Sequence, residues 1–158
     1  MKNILILGAG KSSPYLISYL ITHANENNWF ITVGDLDKEL AQSRLNNHPN
    51  SEAIYFDIND AELRNKYIEK SDIVINILAP RFQHIIALTC VQYGKHMISV
   101  SYQDKRIIEL ERDARKKGIL ILTEIGLDPG IDHMSAAALV NRIRGNGGVV
   151  RNFQSYGG

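Results

Sequence analysis

The sequence predicts an α/β fold with a doubly wound parallel sheet, followed by the start of a second, α+β domain. Apolar stretches of strand length alternate with helical patterns through most of the chain, which is typical of a parallel sheet with crossover helices. The first apolar stretch leads directly into Gly8 and Gly10, as in the opening turn of a Rossmann-like sheet. After residue 128 the alternation stops, so we divide the chain into domains at 1–128 and 129–158.

Composition limits the partners and the compartment. The formal net charge of +1 gives no electrostatic reason to expect nucleic acid or an anionic membrane as a partner. The N-terminal apolar run is far too short to span a bilayer. The single cysteine, Cys90, excludes an internal disulfide framework and favours a reducing, cytoplasmic location. Cys90 and the five histidines lack the paired spacing of metal ligands, so we expect no metal site.

The turn after the first strand has the features of a dinucleotide-binding loop. Gly8 permits a tight turn, and Gly10 lets the backbone approach a phosphate where a Cβ atom would intrude. Ser13 occupies the position of the third fingerprint glycine, so the match is imperfect, and Pro14 suits a first helical turn. We predict that the pyrophosphate of the cofactor is bound by Gly8, Ala9, Gly10, Lys11, Ser12 and Ser13.

A phosphate-binding loop of the kinase or ATPase type is excluded at the same place. Gly10, Lys11 and Ser12 resemble the end of that motif. Its first glycine would fall at Leu5, in the middle of the strand, so the spacing does not fit.

The next elements complete the first half of the sheet. A helical apolar face, a buried strand, a short helix and a third strand are predicted at 16–24, 29–33, 36–45 and 53–56. In the short helix, Leu36, Leu40 and Ala41 are expected to face inward.

Two acids follow these strands. Asp35 ends the second strand ~25 residues after the glycines, where a carboxylate accepts hydrogen bonds from an adenosine ribose. The alternative is a turn aspartate, and the preceding glycine loop favours the ribose. Asp57, together with Ile58, follows the third strand, and it either reaches the adenine or caps the helix that begins near Asp60. Both interpretations of Asp57 stay open.

The second half of the sheet alternates in the same way. Strands are predicted at 73–78, 97–100 and 119–122, with helices at 82–93 and 104–117. Because the carboxyl ends of parallel strands share one edge, right-handed crossovers put the cofactor at that edge.

The last part of the sequence departs from this pattern. Residues 123–132 form a turn-rich loop with three acids, in which Asp132 is expected to cap a helix at 133–144. Residues 149–156 are expected to form a strand without its partners, so we interpret the sequence as the front of a longer protein. We expect the side chains of Val149, Val150 and Phe153 to be partly uncovered.

Four segments are specific enough to compare with a known family. They are Gly8-Ala9-Gly10 with Pro14, residues 72–76 with Pro80 and His84, residues 99–102, and residues 124–134, whose sequence is EIGLDPGIDHM. Together they resemble the glutamate-forming saccharopine dehydrogenase family over essentially the whole chain. The resemblance implies a nicotinamide-dependent oxidoreductase that interconverts saccharopine with glutamate and aminoadipate semialdehyde.

The same resemblance implies partners and site residues. It implies a small-molecule substrate, a homodimer in the full-length protein, and a cofactor-binding fragment without turnover when the second domain is missing. It implies that the cofactor is bordered by Leu78, Ala79 and Pro80. Ser101 and Tyr102 would meet the substrate beside the nicotinamide, and Asp128 would contact it from the loop.

The chemistry of these residues leaves alternatives open. Asp128 is the best-placed acid or base, with Tyr102 as a hydrogen-bond donor, but Asp128-Pro129-Gly130 also has the composition of an ordinary turn. His84 and His133 lie at predicted helix starts, where capping and packing compete with ligand contact. Cys90 is expected in the core rather than at a reactive site.

The sequence departs from the family in two places. Many members carry a cysteine in the motif SYCGG, where this chain has Ser155, Tyr156, Gly157 and Gly158, so any role of that thiol is lost or moved. Many members also use NADP and lack an acid such as Asp35, so the choice of cofactor cannot be taken from the family. Because the Asp35 carboxylate would face the extra 2′-phosphate of NADP, we predict NAD as the cofactor, with NADP as the alternative.

Two other functions compete with this one. The first is a related dehydrogenase that acts on carboxynorspermidine or homospermidine, which differs in substrate groups that a further domain would recognise. The second is an NAD-binding module without catalysis. The EIGLDPGIDHM loop argues against that module, because a sensor needs no such constellation at the nicotinamide end.

Overall fold

A computed structural model describes residues 1–156 as a six-stranded sheet with helices on both faces. The strands are β1 (Lys2–Leu7), β2 (Trp29–Asp35), β3 (Ser51–Tyr55), β4 (Ile73–Asn76), β5 (His96–Ser99) and β6 (Ile121–Leu122). The helices are α1 (Pro14–Thr22), α2 (Ala24–Asn27), α3 (Lys38–Leu45), α4 (Ala61–Lys70), α5 (Gln83–Tyr93), α6 (Lys105–Glu109), α7 (Glu111–Lys116) and α8 (Ile131–Gly145), with a 3-10 turn at Pro80–Phe82. The order is β3-β2-β1-β4-β5-β6 and every pairing is parallel, which confirms the predicted doubly wound fold.

Two apolar layers enclose the sheet, because successive side chains of a strand point to opposite faces. In β1, the buried side chains of Ile4 and Ile6 pack in a layer with α1, α2 and α3. Leu5 and Leu7 are buried in the other layer with α4 to α7. The chain reverses its direction of travel across the sheet between β1 and β4, and this reversal opens a crevice at the carboxyl ends of those strands.

Three predictions about helices are wrong in detail. The first predicted helix is divided, because the backbone at His23 (φ −97°, ψ 1°) is not helical, so that α1 ends at Thr22 and α2 is a separate turn. The helix predicted at 104–117 is divided into α6 and α7 at Leu110. Leu36 does not face inward but is 64% exposed, since α3 begins only at Lys38, after its cap Asp37.

The segment after β6 lacks a core of its own. In α8, which the structure describes in full, no residue is buried. The prediction that Asp132 precedes and caps this helix is wrong, because Asp132 lies in the first turn of α8 and the cap position is Gly130. Within residues 1–156, no helix combines the length and the apolar content that crossing a bilayer requires.

The predicted strand at 149–156 is irregular backbone in the structure. A strand without a hydrogen-bonded neighbour leaves its backbone groups unpaired, which explains the difference. The expected exposure of this segment is confirmed, with Val149 81% and Phe153 51% exposed and Val150 half-buried. Gly157 and Gly158, which belong to the predicted second domain and to the departure from the SYCGG motif, lie outside the described residues.

Candidate functional site

The glycine loop leaves β1 through a turn that needs glycine at its first position. Gly8 has a φ of +111°, and a Cβ atom there would lie 3.4 Å from the carbonyl carbon and oxygen of Ile77. Ser13, at the third fingerprint position, is fully buried and donates its hydroxyl hydrogen to the Gly10 carbonyl oxygen at 2.8 Å. A small side chain with a satisfied hydroxyl therefore replaces the usual glycine or alanine.

The exposed side of this loop presents free donors. Within residues 1–156, neither the Lys11 nor the Ser12 backbone N–H has a hydrogen-bond acceptor. A Cβ atom on Gly10 would meet no protein atom within 4 Å, so the space beside Gly10 is open. Unpaired N–H groups at the start of α1 fit the pyrophosphate of a dinucleotide.

Asp35, at the end of β2, holds the glycine loop in place. Its Oδ2 accepts a hydrogen bond from the Ala9 N–H at 2.7 Å, and its Oδ1 accepts one from the Asp37 N–H at 3.0 Å. From α3, the Arg44 Nε donates to the Ala9 carbonyl oxygen at 3.3 Å. Asp35 thus has the contacts of a turn residue, and it also binds the glycine loop. Each carboxylate oxygen keeps a lone pair for a ribose hydroxyl, so the ribose contact stays a prediction.

The two residues predicted on the adenine side differ in accessibility. The Asp57 carboxylate is half-buried and accepts hydrogen bonds from the backbone and the side chain of Asn59 at 2.9 and 3.0 Å. The N-cap of α4 is Asp60, whose Oδ1 accepts from the Leu63 N–H at 3.0 Å, so Asp57 is not the cap. The Ile58 side chain packs in the core, so only its backbone is available to a ligand.

A buried polar network at the ends of β4 and β5 was not found by sequence reasoning. Asn76 donates through Nδ2 to the Ser99 hydroxyl oxygen at 3.3 Å, and the Ser99 hydroxyl donates to Oε1 of Gln83. Gln83 in turn donates through Nε2 to the Tyr102 carbonyl oxygen at 2.8 Å. Asn76, Ser99 and Gln83 are all at most 1% exposed, so the network fixes the backbone of Tyr102 from inside. In the sequence, only Asn76 stands out, as a polar residue at the end of an otherwise apolar strand, and its partners carry no local signal.

The loop with the sequence EIGLDPGID folds back on itself beside this network. The Gly126 N–H donates to the Pro129 carbonyl oxygen at 2.8 Å, and the Gly126 carbonyl oxygen accepts from the Ile131 N–H at 2.9 Å. Gly130 has a φ of +148°, and a Cβ atom there would overlap the Gly126 backbone. The Glu124 N–H donates to the Ser101 carbonyl oxygen at 3.1 Å, which joins the loop to the end of β5. This closure brings Asp128 to the edge of the sheet.

Tyr102 and Asp128, predicted as partners in the site, are in direct contact. The Tyr102 hydroxyl donates to Oδ1 of Asp128 at 2.8 Å, and the Tyr102 side chain is largely exposed. This hydrogen bond raises the pKa of the Tyr102 phenol above its usual value, and desolvation and the nearby carboxylates act in the same direction. Within the described residues, Oδ2 of Asp128 has no hydrogen-bond partner. The phenol hydrogen is therefore committed to Asp128, and the pair leaves the phenol oxygen and Oδ2 of Asp128 as acceptors.

Two adjoining cavities surround this pair. One of about 640 Å³ is lined by residues that include Leu78, Ala79, Pro80, Ser101, Tyr102 and Asp128. The other, of about 500 Å³, extends from Ser12 and Tyr15 at the glycine loop to Leu127. Ile77, Val100 and Asp128 line both cavities. The two cavities thus adjoin as one crevice, which is bordered by the predicted substrate residues and by four predicted cofactor residues, Ser12, Leu78, Ala79 and Pro80. The other predicted cofactor residues line neither cavity: Gly8, Ala9, Gly10, Lys11, Ser13, Asp35, Asp57 and Ile58. Ser101 is only 7% exposed.

The remaining predicted candidates lie in ordinary environments. His133 is exposed, and its Nδ1 lies 2.8 Å from Oδ1 of Asp132 in the first turn of α8. His84 is half-buried near the start of α5. Cys90 is fully buried in the core, as predicted, and its burial raises the pKa of the thiol to about 12. Within residues 1–156, no group of three or more His, Cys, Asp or Glu side chains is arranged to hold a metal ion.

Comparison with known proteins finds similarity to saccharopine dehydrogenases and to alpha-aminoadipic semialdehyde synthases. A family model described as "Saccharopine dehydrogenase NADP binding domain" matches residues 4–122. The Schizosaccharomyces pombe protein named saccharopine dehydrogenase (NADP(+), L-glutamate-forming) is 34% identical over 158 residues, which are 100% of this chain and 34% of that protein. The Arabidopsis thaliana alpha-aminoadipic semialdehyde synthase is 31% identical over 98% of this chain and 16% of its own length.

A solved structure similar to this chain is also that of a saccharopine dehydrogenase. The apo histidine-tagged saccharopine dehydrogenase (L-Glu forming) from Saccharomyces cerevisiae superposes with a TM-score of 0.79 and 29% identity, over 93% of this chain and 32% of that chain. The chain therefore spans about a third of the length of the fungal relatives that it matches. Because the family model covers most of its residues, from Ile4 to Leu122, the chain belongs to the family of the saccharopine dehydrogenase NADP binding domain.

Proposed function

We propose that this chain is the cofactor-binding part of an oxidoreductase that interconverts saccharopine with glutamate and aminoadipate semialdehyde, as in lysine metabolism. The observation that carries the proposal is the hydrogen bond from Tyr102 to Asp128, at the junction of a cavity that reaches the glycine loop and a second cavity beside it. The named relatives are saccharopine dehydrogenases, which supports the same reaction.

The residues present fit a nicotinamide dinucleotide. The Lys11 and Ser12 N–H groups would hold the pyrophosphate, and Asp35 would accept hydrogen bonds from the adenosine ribose. Leu78, Ala79 and Pro80 would border the nicotinamide end. When bound, the cofactor supplies hydride exchange with the carbon of a C–N bond.

The chain's own residues would manage protons in this reaction. Oxidation of a secondary amine requires loss of the amine proton, and water must then be activated to hydrolyse the C=N bond. The free Oδ2 of Asp128 would accept the amine proton and release it to solvent, and would later take the proton of the attacking water and return it to the departing nitrogen. The Tyr102 hydroxyl, whose one hydrogen is donated to Oδ1, would hold the carboxylate in position. The buried network behind Tyr102 keeps this pair at the edge of β5.

We also propose that NAD is preferred over NADP, although the names of several relatives include NADP. The extra 2′-phosphate of NADP would face the Asp35 carboxylate, and no arginine directly follows Asp35 in the sequence. Two like charges ~4 Å apart repel by up to roughly 4 kcal/mol at an effective dielectric near 20, before relaxation and salt screening. Arg44 contacts Ala9 rather than Asp35, so it does not neutralise the carboxylate directly.

A substrate panel tests the reaction. The protein expressed from its complete reading frame is incubated with NAD and, in separate reactions, saccharopine, carboxynorspermidine or homospermidine, and formation of reduced cofactor is followed. We expect turnover with saccharopine only. Turnover with one of the polyamine derivatives would favour the related dehydrogenase, and cofactor binding without turnover of any of the three would favour the non-catalytic module.

Two further proposals concern the oligomeric state of the protein and its cellular compartment. We propose a homodimer for the complete protein, supported by the exposed apolar side chains of Leu139, Ile143 and Phe153. We propose a reducing, cytoplasmic compartment, supported by the single buried thiol of Cys90. Light scattering of the purified protein and microscopy of a tagged copy would measure these properties.

A further inference from the structure

Arg81 lines the larger cavity, and the described residues contain no ion-pair partner for it. It is exposed, and it lines the same cavity as Tyr102 and Asp128. Within residues 1–156, its guanidinium forms no ion pair and no hydrogen bond. The other arginine of this cavity, Arg106, is neutralised by Asp104, whose Oδ2 accepts from Nη2 at 2.7 Å and from Nε at 3.2 Å. Arg81 is therefore the cation of this cavity that is available to an anion.

The Arg81 side chain packs on a neighbouring ring, and a hydrogen bond of Gln83 links its turn to Tyr102. Its guanidinium carbon lies 4.5 Å from the centroid of the Phe82 ring, a stacking distance that restricts the side chain. Gln83, the next residue but one, is buried and donates to the Tyr102 carbonyl oxygen at 2.8 Å. The turn that carries Arg81 and the strand end that carries Tyr102 are thus joined by one hydrogen bond, which reduces the entropy lost on binding.

We propose that Arg81 binds a carboxylate of the substrate and so helps to select an anionic amine over a cationic one. A guanidinium matches a carboxylate with two parallel N–H donors and is the side chain best suited to this task. The inference rests on the proposed function, because saccharopine carries several carboxylates whereas a polyamine is largely cationic. It adds a specificity residue to the cofactor-binding part of the protein, next to the proposed catalytic pair.

The test compares three variants in the protein expressed from its complete reading frame. Arg81→Gln removes the charge, Arg81→Lys keeps a point charge without the two-pronged geometry, and Arg112→Gln is the control, since Arg112 is an exposed arginine on α7 outside this cavity. KM and kcat for saccharopine, and the dissociation constant of NAD, are measured for each. We expect KM to rise about 10-fold or more for Arg81→Gln, with a smaller rise for Arg81→Lys. We expect kcat and NAD affinity to stay near those of the wild type.

A binding measurement separates this inference from the proposed reaction. Glutarate, a simple dicarboxylate, is titrated into the complex with reduced cofactor, and its affinity is measured by calorimetry. We expect Arg81→Gln to bind glutarate about 10-fold more weakly than the wild type and Arg112→Gln to bind it equally. If the wild type fails to oxidise saccharopine but this difference is found, the proposed reaction is wrong and the carboxylate site stands. Equal binding by Arg81→Gln and the wild type, or no binding by the wild type, would overturn the carboxylate site.

Discussion

The two ends of the crevice are built in different ways. At the glycine-loop end, Gly8, Ala9 and Ser13 are buried and the Asp35 carboxylate is tied to the loop by a 2.7 Å hydrogen bond. At the other end, the Tyr102 side chain is 60% exposed, and α8 beyond it has no buried residue. The glycine loop is thus held by contacts within these residues, whereas Tyr102 and Asp128 lie on an open surface. We infer that cofactor binding and turnover depend on different parts of the protein.

The largest expected effect is on turnover by the 158-residue chain alone. We expect it to bind NAD, because the glycine loop is complete, but to oxidise no saccharopine, because the open end cannot hold the substrate in place. Positioning of reactants contributes roughly 7–11 kcal/mol of barrier lowering in well-oriented reactions. Formation of reduced cofactor is measured with a fungal saccharopine dehydrogenase as the positive control. A rate near that of the control would show that the two ends are equally complete.

The next effect is that of Asp128→Asn in the complete protein. We expect kcat to fall about 100-fold, since loss of a positioned acid or base typically costs that much, while NAD affinity is retained. Asp113→Asn, an exposed acid on α7, is the matched control. Steady-state kinetics with saccharopine make the measurement. A value of kcat within about threefold of the wild type would assign Asp128 to the turn alone.

A smaller effect separates the two cofactors at the glycine-loop end. We expect NAD to bind about 10-fold more tightly than NADP. The corresponding difference in binding free energy is roughly a third of the full repulsion energy between the 2′-phosphate and the Asp35 carboxylate. Asp35→Asn keeps an acceptor for the Ala9 N–H and removes the charge, so it should reduce the difference. Both cofactors are titrated by calorimetry into the wild type and the variant. Tighter binding of NADP by the wild type would contradict the role given to Asp35.

Tyr102, at the open end of the crevice, is expected to ionise at a higher pH than an ordinary tyrosine. Because the Tyr102 phenol donates to Asp128, its pKa is raised, and it should stay protonated at a pH where an ordinary tyrosine has begun to ionise. Ultraviolet difference spectra of the wild type and of Tyr102→Phe isolate this residue from the other tyrosines. In Asp128→Asn the pKa should move down toward the usual value. An unchanged pKa in that variant would mean that the hydrogen bond to Asp128 does not form in solution.

The smallest effect is expected at Cys90, a buried residue of α5 in the core. Its pKa of about 12 leaves almost no thiolate at neutral pH, so the native protein should not react with a thiol reagent. The denatured protein, whose sequence to residue 158 contains this one cysteine, is the control and should react fully. Rapid labelling of the native protein would show that the core opens readily.

Sequence patterns predicted the glycine-loop end better than the substrate end. The glycine turn, the acid at the end of β2 and the doubly wound parallel sheet follow from local features, namely glycine spacing, an acid after a strand and the alternation of strands with helices. The contacts that fix Tyr102 join Asn76 to Ser99 and Ser99 to Gln83, which are 23 and 16 residues apart in the sequence. Such pairs have no local signature, because only the fold brings them together. The same is true of Arg44 and Ala9, which are 35 residues apart.

Other differences come from competition between local and tertiary effects. Leu36 has the spacing of an inward-facing helical residue, but the Asp37 side chain caps α3 one residue later and leaves Leu36 outside. Ile58 was predicted at the cofactor, and its side chain packs in the core, so that a contact with the cofactor would come from its backbone and stays a prediction. For Leu36, the helical spacing is present, but the helix begins after it.

The buried network at Asn76, Ser99 and Gln83 has a consequence for how this sequence can change over time. The Ser99 hydroxyl accepts from two N–H donors and donates once, so it has little capacity for a different set of neighbours. An apolar replacement at any one of the three positions would leave buried polar groups of the others unpaired, which is costly, whereas joint replacement avoids that cost. We therefore expect natural relatives of this chain to vary at these three positions together, with substitutions that are tolerated as a set and harmful one at a time.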